Sequence, residues 1–490
     1  MTQFSSDDCE ELEQRQISID EVRRQIEFLS GPRPVARLVR PATLGDGIHR
    51  IPEDRQDELI RRHDSTARAG RFSKFVPASG AASRMFRDLM VSPTVGNDAR
   101  ARFMEHRHRF PFFDDLASCV GAAGSSDAWV HALLDPDQLG LESLPKGLVP
   151  FHHGRPEPRT PFDEHLIEAA QTIADADGGC RVHFTVSPEH RTMFLDRLAR
   201  RGPEFQEIHR CRYDVSFSEQ SPATDTIALT PEGDLQRDEL GRIVFRPGGH
   251  GALIENLSRT EGDLVFVKNI DNVQPDKRRE TTVRWKKILG GLGSWLHDRR
   301  VEYQTRLQDA STDETNHREV VDFLREWCFI ESVLVGDDDK DRRRLQRVLD
   351  RPLRVAGVVL NRDEPGGGPF WVRGSAGEDR PQIVETAQMN REDPEQSRQV
   401  DGATHFNPVD LVCAVRDAEG RSYDLERFVD PETSIVTEKT VAGHQVRALE
   451  RPGLWNGAMA GWLTVFVEVP LETFSPVKSV FDLLRPEHQS

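Results

Sequence analysis

Residues 74–86, which read Lys-Phe-Val-Pro-Ala-Ser-Gly-Ala-Ala-Ser-Arg-Met-Phe, combine residue types that suit a phosphate group. Small side chains from Ala78 to Ser83, on both sides of Gly80, allow backbone N–H groups to approach a ligand closely. Apolar residues at helical spacing follow, and a helix N-terminus favours an anion. Arg84 adds a guanidinium that matches phosphate oxygens. The segment therefore predicts a strand–loop–helix phosphate site, with an ordinary small-residue turn as the alternative.

Two further charged residues fall where a ligand site is expected. Lys146 lies between Pro145 and Gly147, and a lysine fixed in this way can act as a point charge on a phosphate, although a surface turn is the simpler interpretation. Asp271 follows Leu264–Val267, whose composition is typical of a buried central strand of a parallel sheet. Open α/β sheets bind ligands at the carboxyl ends of such strands, where a carboxylate can hold Mg²⁺ against substrate phosphates. The alternative for Asp271 is an Asx-type turn.

Gln220 and the segment Pro-Gly-Gly-His-Gly at residues 247–251 indicate contacts to a planar ligand. Gln220 offers both a donor and an acceptor, which suits the edge of a nucleobase, although glutamines are common in loops. Glycines on both sides of His250 allow the backbone to approach a planar or phosphorylated ligand. A tight turn would rarely need all of these glycines together with a histidine, so the pattern favours a binding role.

Composition and charge exclude several classes of function. The chain has 490 residues, of which 37% are hydrophobic and 30% charged, as in soluble globular proteins. Its net charge of −17 argues against general binding to nucleic acids or membrane surfaces, because both are polyanions. Six scattered cysteines without a CxxC pair fit a reducing cytosol better than a disulfide framework or a zinc site. Since no apolar signal segment or membrane-length run is present, we expect a cytoplasmic protein.

The surrounding pattern predicts the elements that position these residues. Residues 1–70 indicate an N-terminal helical extension. In residues 71–279, short β-branched runs alternate with helical stretches, which predicts an α/β core. Residues 280–350 indicate a charged helical segment, and residues 351–490 a C-terminal α+β region packed on the core. The expected fold class is therefore α/β, with a Rossmann-like mixed sheet flanked by helices.

The order of these segments resembles that of the UDP-sugar pyrophosphorylases, which are sugar-1-phosphate uridylyltransferases with a GT-A-like, Rossmann-like nucleotidyltransferase fold. This similarity is remote and covers about residues 72–275, through the loop ending in Arg84, Pro-Lys-Gly at 145–147, Glu-Gln at 219–220, Pro-Gly-Gly-His-Gly at 247–251 and Asn-Ile-Asp-Asn at 269–272. Almost end to end, the chain also resembles a bacterial family catalogued as a domain of unknown function. That resemblance rests on Phe-Val-Pro-Ala-Ser-Gly-Ala-Ala-Ser-Arg-Met, Gly-Gly-His-Gly-Ala-Leu-Ile-Glu-Asn-Leu, Lys-Asn-Ile-Asp-Asn-Val and Thr-His-Phe-Asn-Pro-Val-Asp-Leu-Val.

The pyrophosphorylase resemblance implies a sugar-1-phosphate nucleotidyltransferase that takes a nucleoside triphosphate, with UTP expected, and forms a nucleotide sugar and pyrophosphate. It implies catalytic roles for Arg84 and Lys146 and a Mg²⁺ ion on Asp271. The nucleotide-binding residues that it implies are Ala78, Ser79, Gly80, Ala81, Ser83, Gln220, Gly248, Gly249 and His250. Two alternatives stay open: a nucleotide-sugar-dependent glycosyltransferase of the same fold, and a non-catalytic nucleotide-sugar-binding protein.

The loop departs from the family pattern at Ser79 and Ala82, which stand where glycines are expected. Because alanine does not readily take a positive φ, we expect the loop either to bend differently at Ala82 or to hold the phosphates less closely.

Overall fold

A computed structural model of the protein describes residues 4–90, 99–121, 124–308, 314–330, 339–362, 366–374, 377–441 and 444–489. Its helices are α1 (Ser6–Arg15), α2 (Ile19–Ser30), α3 (Glu53–Arg68), α4 (Ser83–Met90), α5 (Ala99–His106), α6 (Phe113–Val120), α7 (Ser126–Leu134), α8 (Pro161–Thr172), α9 (Arg191–His209), α10 (Ile254–Ser258), α11 (Arg279–Gln308), α12 (Glu314–Cys328), α13 (Asp339–Leu349) and α14 (Pro394–Asp401). Within these residues, no helix is both long and apolar enough to span a membrane.

The strands are β1 (Leu38–Pro41), β2 (Thr43–Leu44), β3 (Gly47–His49), β4 (Phe72–Pro77), β5 (Gly179–Thr185), β6 (Arg212–Ser218), β7 (Thr226–Leu229), β8 (Phe245–Arg246), β9 (Leu264–Val267), β10 (Leu353–Leu360), β11 (Gly368–Arg373), β12 (Asp379–Val384), β13 (His405–Ala414), β14 (Ile435–Val441), β15 (His444–Glu450) and β16 (Leu463–Glu468). Nine of them form a central sheet in the order β2-β3-β16-β10-β13-β9-β4-β5-β6. Two smaller sheets, β1-β11-β12 and β14-β15-β7-β8, lie outside it.

The central sheet is mixed, which confirms the predicted α/β fold. Strands β9, β4, β5 and β6 are parallel, whereas β13 pairs antiparallel with both β9 and β10. Its strands come from three of the four expected segments, residues 1–70, 71–279 and 351–490. The boundaries of those segments stay a prediction.

Alternating side chains of the central strands fill two cores on opposite faces of the sheet. Phe72 and Phe266 pack in one apolar cluster with α8 and α11. Phe75 and Val267 pack in another with α10 and the segment before β16. All four residues of β9 are fully buried, as its composition predicts for a central strand. Because both faces are covered, the strand ends are the places where ligands can reach this part of the sheet.

Helix α8 begins with a capping box, in which Thr160 and Asp163 satisfy each other's backbone N–H groups, and Pro161 occupies the first turn. The helix lies against the sheet and is buried along almost its whole length. It therefore carries polar side chains, including His165 and Glu168, into the protein interior.

Candidate functional site

The predicted site residues follow strands that lie side by side. Residues 78–82 follow β4, Asp271 follows the adjacent strand β9, and Gln220 follows β6, two strands beyond β4. Since these strands are parallel, their carboxyl ends form one edge of the sheet, with neighbouring strands about 4.8 Å apart. The fold therefore places the small-residue loop next to Asp271, and Gln220 further along the same edge.

The loop of residues 78–83 is anchored at both ends and open in its middle. The backbone N–H of Ala78 donates to Thr185 O (2.8 Å), and that of the buried Ala82 donates to Leu144 O (3.0 Å). The exposed residues of this loop are Ser79, Gly80, Ala81 and Ser83, and their backbone N–H groups have no hydrogen-bond partner among the described residues. Such donors at the start of a helix are available to an anion.

The loop achieves this shape without left-handed backbone. None of residues 78–84 has a positive φ, as expected from Ala82. A Cβ added to Gly80 would meet no atom within 4 Å, so the fold itself does not require glycine at this position.

Lys146 and Asp271 come together beside this loop. The backbone N–H of Lys146 donates to Gly80 O at 2.9 Å, which attaches the lysine turn to the loop. Its ammonium Nζ lies 2.8 Å from Asp271 Oδ2. A second ammonium, that of Lys478, lies 3.0 Å from the same oxygen. The site is therefore a buried carboxylate bracketed by two lysines at the edge of the sheet.

The charges of this group depend on both lysines and on the Asp271 carboxylate between them. Burial alone would raise the pKa of Asp271, but the ammonium groups of Lys146 and Lys478 outweigh that effect and hold the pKa below its usual value. Burial lowers the pKa of Lys146, and the Asp271 carboxylate opposes that shift. Two ammonium groups thus contact the ionised Asp271, while the carboxylate of Asp482, which also acts on Lys146, offsets part of their positive charge. The side chain of Lys478 is 68% exposed, so its ammonium can also reach a ligand.

The donor set fits a magnesium ion only if the substrate supplies most of the ligands. Asp271 Oδ1 is buried and has no hydrogen-bond partner in the described structure. No group of three or more His, Cys, Asp or Glu side chains is arranged to hold a metal within the parts of the chain that are described. Mg²⁺ often binds through one or two carboxylates, with phosphate oxygens and water completing its shell. Asp271 Oδ1 is suited to be such a protein ligand.

Lys478 is a site residue that the sequence reasoning missed. Its segment is tied to the turn of Asp271, because Val477 N donates to Asp271 O (3.2 Å) and Ser475 N donates to Asn272 Oδ1 (2.8 Å). The two lysines share one weak signal, since Pro145 precedes Lys146 directly and Pro476 stands two residues before Lys478.

A buried polar cluster supports the turn of Asp271 from below the sheet edge. His165 Nε2 lies 3.2 Å from Asn269 O and 3.3 Å from Ile270 O. Glu168 accepts from Lys268 Nζ at 2.6 Å, so this lysine points into the protein interior.

Lysines from the sheet and from α11 complete this cluster. Glu168 also contacts Lys74 at 2.7 Å and Lys286 at 3.1 Å, and Lys286 forms an ion pair with Asp410 of β13. The contacts bind β4, β9, β13, α8 and α11 into one network beneath the site.

Close packing against neighbouring backbone explains the glycines around His250. A Cβ on Gly248 would overlap Thr224 O, one on Gly251 would overlap Pro452 O, and Gly249 has a φ of +79°. The His250 ring stacks on Trp455, with ring centroids 4.7 Å apart, and its Nδ1 accepts the N–H of Leu454 at 3.0 Å. Burial lowers the pKa of His250, which favours this neutral acceptor form.

The remaining predicted residues make few contacts. Gln220 Nε2 lies 3.5 Å from Asp225 Oδ1, the limit of a hydrogen bond. Asn256 of α10 donates to Ser218 Oγ (2.7 Å), which ties the helix after His250 to the end of β6. Arg84 is exposed and makes no ion pair with any described residue. Among the described residues, no hydrogen bond joins Gln220, His250 or Arg84 to Asp271, so the roles of these three residues stay predictions.

Two UDP-sugar pyrophosphorylases of known structure are similar to this chain. The uridine diphosphate N-acetylglucosamine pyrophosphorylase from Trypanosoma brucei, in complex with an inhibitor, aligns with a TM-score of 0.51 and 12% identity, over 95% of this chain and 74% of that one. The UDP-glucose pyrophosphorylase from Leishmania major aligns with a TM-score of 0.48 and 14% identity, over 98% and 79%. The first likeness confirms the expected resemblance at the level of the fold.

Sequence comparison assigns the chain to a family. No curated protein sequence matches it. One family model matches residues 5–489, which is nearly the whole chain. The protein therefore belongs to the family described as Domain of unknown function (DUF4301).

Proposed function

We propose that this protein is a sugar-1-phosphate nucleotidyltransferase, which joins UTP and a sugar 1-phosphate to form a UDP-sugar and pyrophosphate. The observation that carries the proposal is the convergence of Lys146 and Lys478 on Asp271, next to a loop with unpaired backbone N–H groups. The likeness in fold to the T. brucei pyrophosphorylase supports the same reaction class.

In this reaction a phosphate oxygen of the sugar 1-phosphate attacks the α-phosphorus of UTP in line. The bond from the α-phosphorus to the bridging oxygen breaks, and pyrophosphate leaves with the electron pair. Such a transfer depends on positioning and charge neutralisation more than on a covalent nucleophile. We assign the triphosphate to the N–H groups of Ser79, Gly80, Ala81 and Ser83, with Arg84 close by in the sequence.

The lysines supply positive charge where negative charge develops. Lys146 is fixed by Asp271 and by its backbone bond to Gly80 O, so its ammonium is preorganised beside the loop. Lys478 is largely exposed, which suits contact with the substrate phosphates. A Mg²⁺ ion, when bound, would neutralise phosphate charge, with Asp271 Oδ1 as its protein ligand. We assign Gln220 to the edge of the base. Gly248, Gly249 and His250 are assigned to the base from the resemblance alone, since close packing already accounts for the glycines.

The deciding experiment measures pyrophosphate release. The purified protein is incubated with UTP, MgCl₂ and a panel of sugar 1-phosphates, and pyrophosphate is quantified with an enzyme-coupled assay. We expect release that requires one particular sugar 1-phosphate and yields the matching UDP-sugar by chromatography. Replacing UTP with CTP, ATP or GTP shows which nucleobase the protein accepts.

Other outcomes point to the alternative functions. Transfer of sugar from a UDP-sugar to an acceptor, without pyrophosphate release from any triphosphate, would replace the proposal with a glycosyltransferase. Tight binding of a UDP-sugar with no turnover in either assay would leave a binding protein.

A further inference from the structure

A cavity of about 530 Å³ lies at the edge of the sheet opposite the candidate site. Leu353, the first residue of β10, is level with Ala414 of β13, which is level with Leu264 at the start of β9. The cavity is therefore near the strand starts, whereas Asp271 follows the end of β9. Its lining includes Arg347, Arg351, Arg380, Gln382, Trp462 and Thr464.

The lining is positively charged in an acidic protein. Over the described residues it contains four arginines, including Arg344, against two carboxylates, Glu378 and Asp379. The whole chain carries a net charge of −17, so this local excess runs against the overall charge. A cavity of this size is within the range of about 300–1,000 Å³ found for small-molecule sites.

Arg351 has a guanidinium without a partner. It makes no hydrogen bond or ion pair with the described residues, whereas the neighbouring Arg380 contacts Glu378 Oε1 and Ala460 O, each at 2.9 Å. Burial, and then the positive charge of Arg380, lower the pKa of Arg351. Arg351 is half-buried and its nitrogens keep contact with solvent, so this guanidinium, which has no partner among the described residues, is available to an anion from solution.

A buried arginine bonded to the lining adds positive charge, and a tryptophan of the lining adds a free donor. Arg354 is fully buried and donates to Thr464 Oγ1 (2.9 Å) and Gln382 Oε1 (3.0 Å), both of which belong to lining residues. It has no ion pair with a described carboxylate. The indole Nε1 of Trp462, another lining residue, is buried without a hydrogen-bond partner in the described structure.

We propose that this cavity binds a small phosphorylated metabolite through its phosphate group, at a site separate from Asp271. Planar guanidinium groups bind phosphate oxygens through paired N–H donors, and Arg351 and Arg380 lie side by side in the lining. Inorganic phosphate, a sugar phosphate and a nucleoside monophosphate all present this chemistry. The proposal does not depend on the nucleotidyltransferase activity.

Isothermal titration calorimetry of the full chain tests this proposal. Inorganic phosphate, glucose 1-phosphate and UMP are titrated separately into the wild type and into Lys478→Ala, which reduces binding at the candidate site. We expect at least one of the three to bind both proteins with similar affinity. In Arg351→Met that affinity should fall about tenfold or more, which is the loss of one charge-assisted contact. The ligand with the highest affinity identifies the source of the phosphate group.

Two further variants separate ligand binding from other effects. Arg343→Met removes an equal charge from an exposed position of α13 outside the cavity lining and should retain wild-type affinity. Arg351→Lys keeps the charge but loses the planar guanidinium, so its affinity should be intermediate.

A thermal melt without ligand provides an independent readout. Because Arg351→Met removes an unpaired guanidinium, its melting temperature should equal or exceed that of the wild type. A clear drop in melting temperature would show that Arg351 has a structural partner and would overturn the proposal. Equal affinity of Arg351→Met and wild type, or no binding of any of the three ligands, would also overturn it.

Discussion

Lys478 and Asp271 are 207 residues apart in the chain, yet the lysine ammonium lies 3.0 Å from the Asp271 carboxylate. The contact joins the C-terminal region to the edge of the sheet where β9 ends. It gives Asp271 Oδ2 a second cation, which is largely exposed, beside the mostly buried Lys146. Phosphate chemistry at this edge would draw on both regions of the chain.

Replacing Lys478 with alanine should lower the rate of pyrophosphate formation by at least about a hundredfold, because in the proposed reaction its ammonium neutralises the developing charge. The side chain is mostly exposed, so the melting temperature should change little. Activity and thermal melts of the same preparations check this prediction.

The matched control is Lys287→Ala. Lys287 forms a partly exposed ion pair with Asp64, 2.9 Å away, on the helical layer that covers one face of the sheet. Its loss should affect neither activity nor stability strongly. Full activity in Lys478→Ala would remove this residue from the proposed mechanism.

Replacing Asp271 with asparagine should lower the free energy of unfolding by about 3 kcal/mol at neutral pH, because it leaves the largely buried Lys146 without its counter-charge. The folded pKa of Asp271 is depressed, so its contribution is fully present above the pKa of the unfolded chain and is lost as pH falls through the folded value. Urea unfolding between pH 7 and about pH 3 should therefore show a smaller loss of stability in Asp271→Asn than in the wild type. If the free energy of unfolding fell equally with pH in both proteins, the pKa of Asp271 would not be depressed in the folded state.

Lys74 should make stability rise with pH in the alkaline range. Burial lowers its pKa from 10.5 to about 7, despite the nearby Glu168 carboxylate. Between these values the unfolded chain binds more protons than the folded one, so the free energy of unfolding increases as pH rises from about 7 toward 10. In Lys74→Met this rise should be weaker, as measured by urea unfolding at several pH values. The same slope in the variant and the wild type would show that Lys74 stays charged in the fold.

Substitution by alanine should leave the stability of the protein unchanged at Gly80 and lower it at Gly251. At Gly80 the added Cβ meets no atom within 4 Å, so the melting temperature should stay near that of the wild type. If the triphosphate approaches the backbone closely at this position, the added methyl group should obstruct it and raise the KM for UTP. At Gly251 the added Cβ overlaps Pro452 O, and the protein should be destabilised. An unchanged KM in Gly80→Ala would argue against close approach of the triphosphate there.

Local sequence patterns predicted the strands and the residues that follow them. The apolar run Leu264–Val267 is the buried central strand β9, and Asp271 lies at its carboxyl edge as expected. The contact of Lys146 with this carboxylate could be anticipated only from the resemblance, because spacing along the chain says nothing about the distance between two turns. Lys478 carries no strong local signal at all, and its place depends on tertiary contacts of the 475–478 segment.

The pairing of β13 and the role of the glycines at 248–251 could not be predicted from the sequence. Strand β13 inserts antiparallel between β9 and β10, and the order of strands along the chain does not encode this pairing. The glycines of residues 248–251 suggested a ligand, whereas their close contacts with Thr224 and Pro452 give them a structural reason that a linear pattern does not reveal.

The parallel strands end level with one another at Pro77, Thr185 and Ser218, each held by backbone pairing within the sheet. The loops that follow these strands can therefore change in sequence without altering the pairing of the strands themselves. Over evolutionary time, family members could exchange or remodel one such segment and keep the others. We therefore expect preference for the sugar or the base to diverge segment by segment, while the strands themselves remain the same.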